Sequence, residues 1–296
     1  MIFRSPHAPV TIPNVSLGEL LLTRAEGFGN KPALIDGLTG KTHTFIEFVT
    51  SVKHIAASLS ELGFRKGDVL ALMCPNCPEY GMMFLATALL GGINTTLNPT
   101  STSGELDTQA SDSGAQYLFT TPEVLDRTAR GATREWKQTI VLGRVAGTVS
   151  FETLLESRTE APVTVINPSE DLVVLPYSSG TTGIPKGVKL THQNLVANLR
   201  QIATGIFTEA DVIAGLPPFF HIYGLTVVLH LGLYLGATDV ILPRFEMNSF
   251  VDTVERYGIT HVNLVPPLIL ALAKHATLDP KRLSTLKTVQ SGAAPL

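Results

Sequence analysis

Tyr177-Ser178-Ser179-Gly180-Thr181-Thr182-Gly183-Ile184-Pro185-Lys186-Gly187 is the stretch around which the chain is organised. Gly180, Gly183 and Gly187 let successive backbone N–H groups turn toward one point. The serine and threonine hydroxyls add donors, and Lys186 brings a mobile positive charge, so the stretch reads as a phosphate-handling loop. Asp171-Leu172-Val173-Val174-Leu175 before it and Val188-Lys189-Leu190-Thr191 after it are β-branched and alternating, which places the loop between two strands. A Walker A loop is ruled out. Counting from Gly180, Pro185 stands where the second glycine belongs and Gly187 where the Mg²⁺-binding hydroxyl belongs, and no helix follows directly. A nest of loop amides is the better description, and a kinase or GTPase is disfavoured. The competing reading is a flexible hairpin loop. Ordinary hairpin loops run to about 2–5 residues, whereas longer ones in compact domains tend to be functional.

Outward from the loop, strands alternate with helices. Ala33–Asp36 and Lys41–Thr44 form a hairpin around Gly37 to Gly40, and Thr44 with Glu47 makes a capping box for a helix that Gly63 stops. Val69–Met73 is a buried strand, Pro78–Leu90 a helix and Ile93–Leu97 a strand. Ser103–Ser111 is helical, Gln116–Thr120 extended, Pro122–Trp136 helical and Thr139–Leu142 extended. Past the loop, Thr191 caps a helix reaching about Ile206, and Asp211–Leu216 is a strand ending in Pro217-Pro218-Phe219-Phe220-His221-Ile222-Tyr223. A helix, strand Thr238–Leu242, helix Ser249–Tyr257, strand Ile259–Val265, helix Pro267–His275 and strand Leu286–Gln290 complete the pattern. The order implies an α/β fold with largely parallel sheets covered on both faces, and ligands at strand carboxyl ends. Asp68-Val69-Leu70-Ala71-Leu72, a proline, an apolar helix and Gly91 recur as Asp211-Val212-Ile213-Ala214-Gly215-Leu216, Pro217, an apolar helix and Gly236. Two stacked β/α subdomains follow from this echo: residues 1–168, then residues 169–296 with the phosphate loop.

The chain has 296 residues, with 44% hydrophobic and 16% charged, a composition that allows a sizeable ordered core. A net charge of −3 offers no basic field for nucleic acid and no polybasic membrane patch. The longest apolar stretch, Leu225–Leu242, contains His230 and Asp239 and is broken by Gly232 and Gly236, so it reads as buried core rather than a membrane span. Met1-Ile2-Phe3-Arg4 followed by Pro6 and Pro9 lacks the pattern of a signal peptide, and a cytoplasmic location is expected. Cys74 and Cys77 lack the second ligand pair of a zinc site; two small residues in a βα turn explain them better than redox chemistry.

The loop, together with Thr191-His192-Gln193-Asn194, resembles the signature of the adenylate-forming, AMP-binding enzymes. Phe219-Phe220-His221-Ile222-Tyr223-Gly224-Leu225 makes the chain most similar to their 4-coumarate:CoA ligase and acyl-CoA ligase group. The resemblance runs from about Ala33 to Leu296. It implies activation of a carboxylic acid by ATP to an acyl-adenylate, then displacement of AMP by the thiol of coenzyme A, with Mg²⁺ accompanying the nucleotide. A carboxylate must then approach a polyanion, so fixed donors and cations have to absorb the charge that builds on the phosphates. Ser178, Ser179, Gly180, Thr181, Thr182, Gly183 and Lys186 suit that task. A histidine among aromatic residues reads first as a satisfied core residue. The resemblance instead makes His221 a positioning group near the carboxylate and Tyr223 a wall of the acyl pocket. Ala293, in Ser291-Gly292-Ala293-Ala294, matches a turn against the adenylate, with a plain strand-end turn as the other reading. Arg244 matches a basic position that meets coenzyme A phosphates in relatives, with a solvated surface arginine as the other reading. Val227, Val262 and Val265 are either pocket lining or core.

The family pattern continues past Leu296 with a metal-binding glutamate, a ribose-binding aspartate and a mobile C-terminal domain bearing a catalytic lysine. None is in this chain, so the resemblance implies an incomplete second subdomain, an absent C-terminal domain and a chain crippled in catalysis on its own. The rivals are a medium-chain or other acyl-CoA ligase and a non-catalytic nucleotide-binding or interaction module.

Overall fold

Short apolar strands alternating with capped helices build two large sheets. The structure is a computed structural model that describes residues 9–129, 134–178, 185–275, 277–292 and 294. Helix α1 (Leu17–Glu26), which the Pro-containing N-terminal segment did not announce, starts where the Ser16 hydroxyl accepts from the Glu19 amide. Strands β1 (Pro32–Asp36) and β2 (Thr42–Thr44) pair as the expected hairpin. Helix α2 (Phe45–Glu61) follows from its capping box: the Thr44 hydroxyl accepts from the Glu47 amide while the Glu47 carboxylate accepts from the Thr44 amide. Then come β3 (Val69–Met73), α3 (Pro78–Leu89), β4 (Ile93–Thr96), α4 (Ser103–Ser113), β5 (Tyr117–Thr120) and α5 (Pro122–Ala129). Residues 134–136 lie outside any helix, so the helix expected to reach Trp136 is shorter. Gly131 interrupts that run with the poorest helix propensity short of proline.

Strands β6 (Gln138–Val141) and β7 (Val149–Ser150) lead into α6 (Phe151–Leu154) and then β8 (Leu172–Leu175). A two-stranded hairpin of β9 (Tyr177–Ser178) and β10 (Lys186–Gly187) stands outside both large sheets. Strand β11 (Leu190–Thr191) follows, and helix α7 (His192–Ile202) begins with Thr191 and Asn194 as a second reciprocal cap. After β12 (Val212–Gly215) a π-helical segment, Gly224–His230, runs into α8 (Leu231–Leu235). Strand β13 (Thr238–Ile241), helix α9 (Met247–Tyr257), β14 (His261–Leu264), α10 (Pro266–Ala273) and β15 (Thr288–Ser291) complete the order.

The seven-stranded sheet runs β11-β8-β4-β3-β5-β6-β7 and the six-stranded sheet β15-β14-β12-β13-β1-β2. Neighbours are parallel except at β11–β8 and β1–β2. Side chains alternate between the faces of each strand, and the core divides accordingly. Leu70 and Leu72 of β3 and Ile213 of β12 join one cluster with α1, α2, α3 and α8, so a single helical layer serves both sheets. Val69, Ala71 and Met73 face Leu106 and Ala110 of α4 on the outer side, and Ala214 and Val240 face Phe250, Val251 and Val254 of α9. Each fully buried side chain of this size contributes about 1.5–3 kcal/mol, so the shared cluster ties the two sheets into one core.

Sheet membership crosses the expected boundary at residue 168. Strands β1 and β2 join the six-stranded sheet through β13, while β8 and β11 return to the seven-stranded one. The internal echo is real at the level of hydrogen bonds. Arg65 N–H donates to the Asp68 carboxylate and Thr208 N–H to the Asp211 carboxylate. Ile93 N–H donates to Asp68 O, and Thr238 N–H to Asp211 O. In each sheet the strand after the aspartate is central, with the next strand on one side and the one after that on the other.

Candidate ligand site at the carboxyl end of β12

Strand β12 ends at Gly215, and the backbone leaves the sheet through two prolines that cannot donate to the ladder. The turn then folds back on itself: His221 N–H donates to Pro218 O at 3.0 Å and Leu225 N–H to His221 O at 3.0 Å. Only glycine fits at 224, where a Cβ would stand 2.2 Å from Pro218 O and 2.6 Å from Pro217 O. The turn walls a cavity of about 490 Å³ whose lining includes Phe220, His221, Tyr223, Arg244, Phe245 and Asn263. Its place beyond strand carboxyl ends is where open α/β sheets take their ligands.

His221 is exposed at this cavity rather than buried in the core. Its Nδ1 accepts from the Tyr223 amide at 3.3 Å, which leaves the proton of the neutral ring on Nε2 as a donor. The Tyr223 hydroxyl donates to Asn263 Oδ1 at 2.9 Å, and burial pushes the phenol above its usual range. Asn263 is buried in β14, and its Nδ2 has no hydrogen-bond partner among the described residues. That nitrogen is itself buried beneath the cavity wall, so the part Asn263 plays at the site is to hold the Tyr223 hydroxyl. Gly292 closes the floor: a Cβ there would lie 3.1 Å from the Tyr223 ring and hydroxyl. Arg244 is exposed at the rim, just after Pro243 at the end of β13's run.

Other expected residues fall elsewhere. Val227 lines a neighbouring cleft of about 340 Å³ with Leu190, Asn194 and Thr226, and Tyr223 is the wall common to both. Val262 is fully buried in the outer core, whereas Val265 reaches the cavity. Ser178 and Lys186 face each other on the β9–β10 hairpin and are both exposed. Ser179, Gly180, Thr181, Thr182, Gly183 and Ala293 lie outside the described residues. The hairpin is anchored at its base. The Tyr177 hydroxyl donates to the Asp112 carboxylate, and burial together with that contact raises the phenol pKa well above its ordinary value. Tyr177 and Pro185 line a separate open cleft with Thr102, Glu105 and Asp112. Among the described residues no cluster of His, Cys, Asp or Glu gathers to hold a metal ion.

Two further histidines are fully buried outside the cavity lining. His192, at the start of α7, accepts from the Leu17 amide through Nδ1 at 3.1 Å, and burial lowers its pKa to about 4. His230 ends the π-helical segment against the Phe84 ring, with centroids 4.8 Å apart, and burial lowers its pKa to about 3. Both are therefore neutral at physiological pH. Asn263 escaped the sequence reading. A lone amide within His261-Val262-Asn263-Leu264 was the available signal.

The fold is an α/β unit with a cavity built from the turn after a central parallel strand. The chain belongs to the AMP-binding enzyme family, which it matches over residues 21–296. It is 37% identical over 303 residues to 4-coumarate–CoA ligase 3 of Oryza sativa subsp. japonica, covering 100% of this chain and 54% of that protein. It is 38% identical over 304 residues to 4-coumarate–CoA ligase 1 of Petroselinum crispum, covering 100% of this chain and 56% of that protein. A crystal structure of a long-chain-fatty-acid-CoA ligase from Archaeoglobus fulgidus superposes with a TM-score of 0.88 at 28% identity, covering 99% of this chain and 61% of that one. The chain thus spans a little over half the length of the curated relatives it matches. Among the described residues no helix is long and apolar enough to cross a membrane.

Proposed function

We propose that the chain is the acid- and nucleotide-binding part of an AMP-forming acyl-CoA ligase acting in the cytoplasm on a 4-coumarate- or cinnamate-like acid. The observation that carries this reading is the cavity at the end of β12, where an exposed His221, the hydrogen-bonded Tyr223–Asn263 pair and Arg244 converge on apolar walls. An aromatic ring suits the apolar lining. The substrate carboxylate would meet His221 Nε2–H, whose tautomer the Tyr223 amide holds. Lys186, with Ser178 and the Ser179–Gly183 amides and hydroxyls, would grip the ATP phosphates, Ala293 would lie against the adenylate, and Arg244 would meet the phosphates of coenzyme A. A carboxylate oxygen attacks the α-phosphorus and pyrophosphate leaves. The coenzyme A thiol then attacks the acyl carbon, and AMP leaves. Mg²⁺ enters with ATP and supplies charge neutralisation on the phosphates.

The test is calorimetric titration of the chain with 4-coumarate, cinnamate and octanoate in the presence of ATP, alongside acid-dependent ATP–pyrophosphate exchange. Tightest binding by the arylpropenoates supports the reading. Preference for octanoate makes the substrate a medium-chain acid, and ATP binding with no acid bound makes the chain a nucleotide-binding module. In a full-length ligase carrying this sequence, Lys186→Ala should depress exchange by roughly two orders of magnitude, as loss of one well-placed donor does.

A further inference from the structure

The turn after β3, Cys74-Pro75-Asn76-Cys77, belongs to the seven-stranded sheet, yet its asparagine is committed to the other one. Asn76 is 6% exposed and reaches the carboxyl end of β12. Its Nδ2 donates to Gly215 O at 3.1 Å and Pro217 O at 3.0 Å, with Leu216 O at 3.4 Å, and its Oδ1 accepts from the Phe219 amide at 2.8 Å. The partners fix which way the amide points: three carbonyls need the nitrogen, and one N–H needs the oxygen. No other residue type of this size offers two donors and an acceptor in one plane. Tyr80, one turn further on in α3, packs its ring 5.9 Å from that of Phe219, and both side chains are fully buried. Two residues after Phe219 stands His221, inside the hydrogen-bonded turn that Pro218 O closes.

We propose that Asn76 is a positioning residue for the cavity: it holds the 215–219 backbone so that His221 and Tyr223 face the ligand. The ligand's identity rests on the reading given under Proposed function; the geometric role does not. A polar clamp buried between two layers transmits position because its alternatives are costly. Shifting the turn would take this partner from Leu216 O, Pro217 O and the Phe219 amide, while Gly215 O keeps the Leu242 amide at 3.2 Å.

The test uses the whole chain with carbon-13-labelled histidine, the His221 resonance being assigned by its loss in His221→Gln. Asn76→Ala should displace the His221 resonance and weaken 4-coumarate binding about tenfold, the effect of losing one to two net hydrogen bonds. Asn76→Asp is the more telling variant. At pH 8 its carboxylate faces three carbonyl oxygens, and the His221 signal should depart further from that of the unsubstituted protein at the same pH. At pH 5 the buried carboxyl is protonated and can donate again, so the signal should return toward the reference. If Asn76→Ala does not fold, Asn76→Ser, which retains one donor, carries the same comparison. An unmoved His221 resonance in these variants overturns the proposal, and so does a displacement in Asn76→Asp that ignores pH. A chain that binds no 4-coumarate defeats the substrate reading alone, and the resonance still decides the role of Asn76.

Discussion

The βα units led by Asp68 and Asp211 share their entry hydrogen bonds, their central strand and a left-handed glycine at the end of the helix, Gly91 at φ 67° and Gly236 at φ 81°. They part at the carboxyl end of the strand. In the first, four residues lead to Pro78 at the start of a regular α-helix that is buried almost throughout. In the second, a longer turn leaves His221 exposed, and the chain re-enters helix through a π-helical segment. Widened turns of that kind cost regular hydrogen bonding and recur at functional sites. The contrast shows how one supersecondary unit becomes a closed support or an open pocket: the strand is kept, and the turn beyond it and the first helical turns change.

Gly81 and Gly224 stand at the same distance along the chain from Asp68 and Asp211, and they offer the sharpest way to break this comparison. A Cβ at 224 meets backbone oxygens that cannot move aside, whereas at 81 it meets Leu229 side-chain atoms, 3.2 Å at the nearest. Gly224→Ala should cost more than about 3 kcal/mol in urea unfolding, and Gly81→Ala less than about 1 kcal/mol, since helix propensity offsets the crowding. Equal losses would mean that the two turns are under the same constraint.

The next largest effect comes from acid. His192 and His230 have folded pKa values of about 4 and about 3, below the unfolded value near 6.5. The unfolded chain therefore takes up protons first, and stability is lost as pH falls below about 6.5. Each histidine contributes up to about 1.4 kcal/mol per pH unit, so both together should remove about 3 kcal/mol between pH 6.5 and 5. Urea midpoints across that range check this. His230→Phe should flatten the slope, and it joins the second unit to Phe84 of the first.

Asp239 tilts the other limb. It is buried beside Gly215 with neither carboxyl oxygen hydrogen-bonded among the described residues, and burial raises its pKa well above the ordinary range. The folded chain keeps this proton while the unfolded chain releases it, so stability declines as pH rises above about 4. The near-isosteric Asp239→Leu should raise stability by about 2 kcal/mol at pH 8, the penalty of an unmet buried polar group, and by less at pH 5. The smallest effects are at the caps of the helices that precede the two units: Thr44→Ala and Thr191→Ala should each cost about 1 kcal/mol in thermal unfolding.

Local signals carried most of the fold. The Thr44–Glu47 box, the aspartate-led strands and the hairpin ahead of Lys186 were legible because each depends on neighbours in sequence. Pairing of β1 with β13 was not, since no local pattern says which sheet a short apolar strand will join. The same limit hid Asn76, a common turn residue whose partners lie far along the chain at 215–219. His221, Tyr223 and Arg244 were singled out by motif, and the structure sets all three around one cavity. Val227 was placed with them by resemblance; it lines the adjoining cleft, whose wall it shares with Tyr223.

The most direct measurement is amide chemical-shift mapping of the nitrogen-15-labelled chain with 4-coumarate. Perturbed amides should concentrate in Leu216–Gly224 and Asn263–Val265, with the Cys74–Pro78 region responding only through Asn76. An absence of shifts, or shifts centred on the first unit or on the cleft beside Tyr177, would contradict a ligand site at the end of β12.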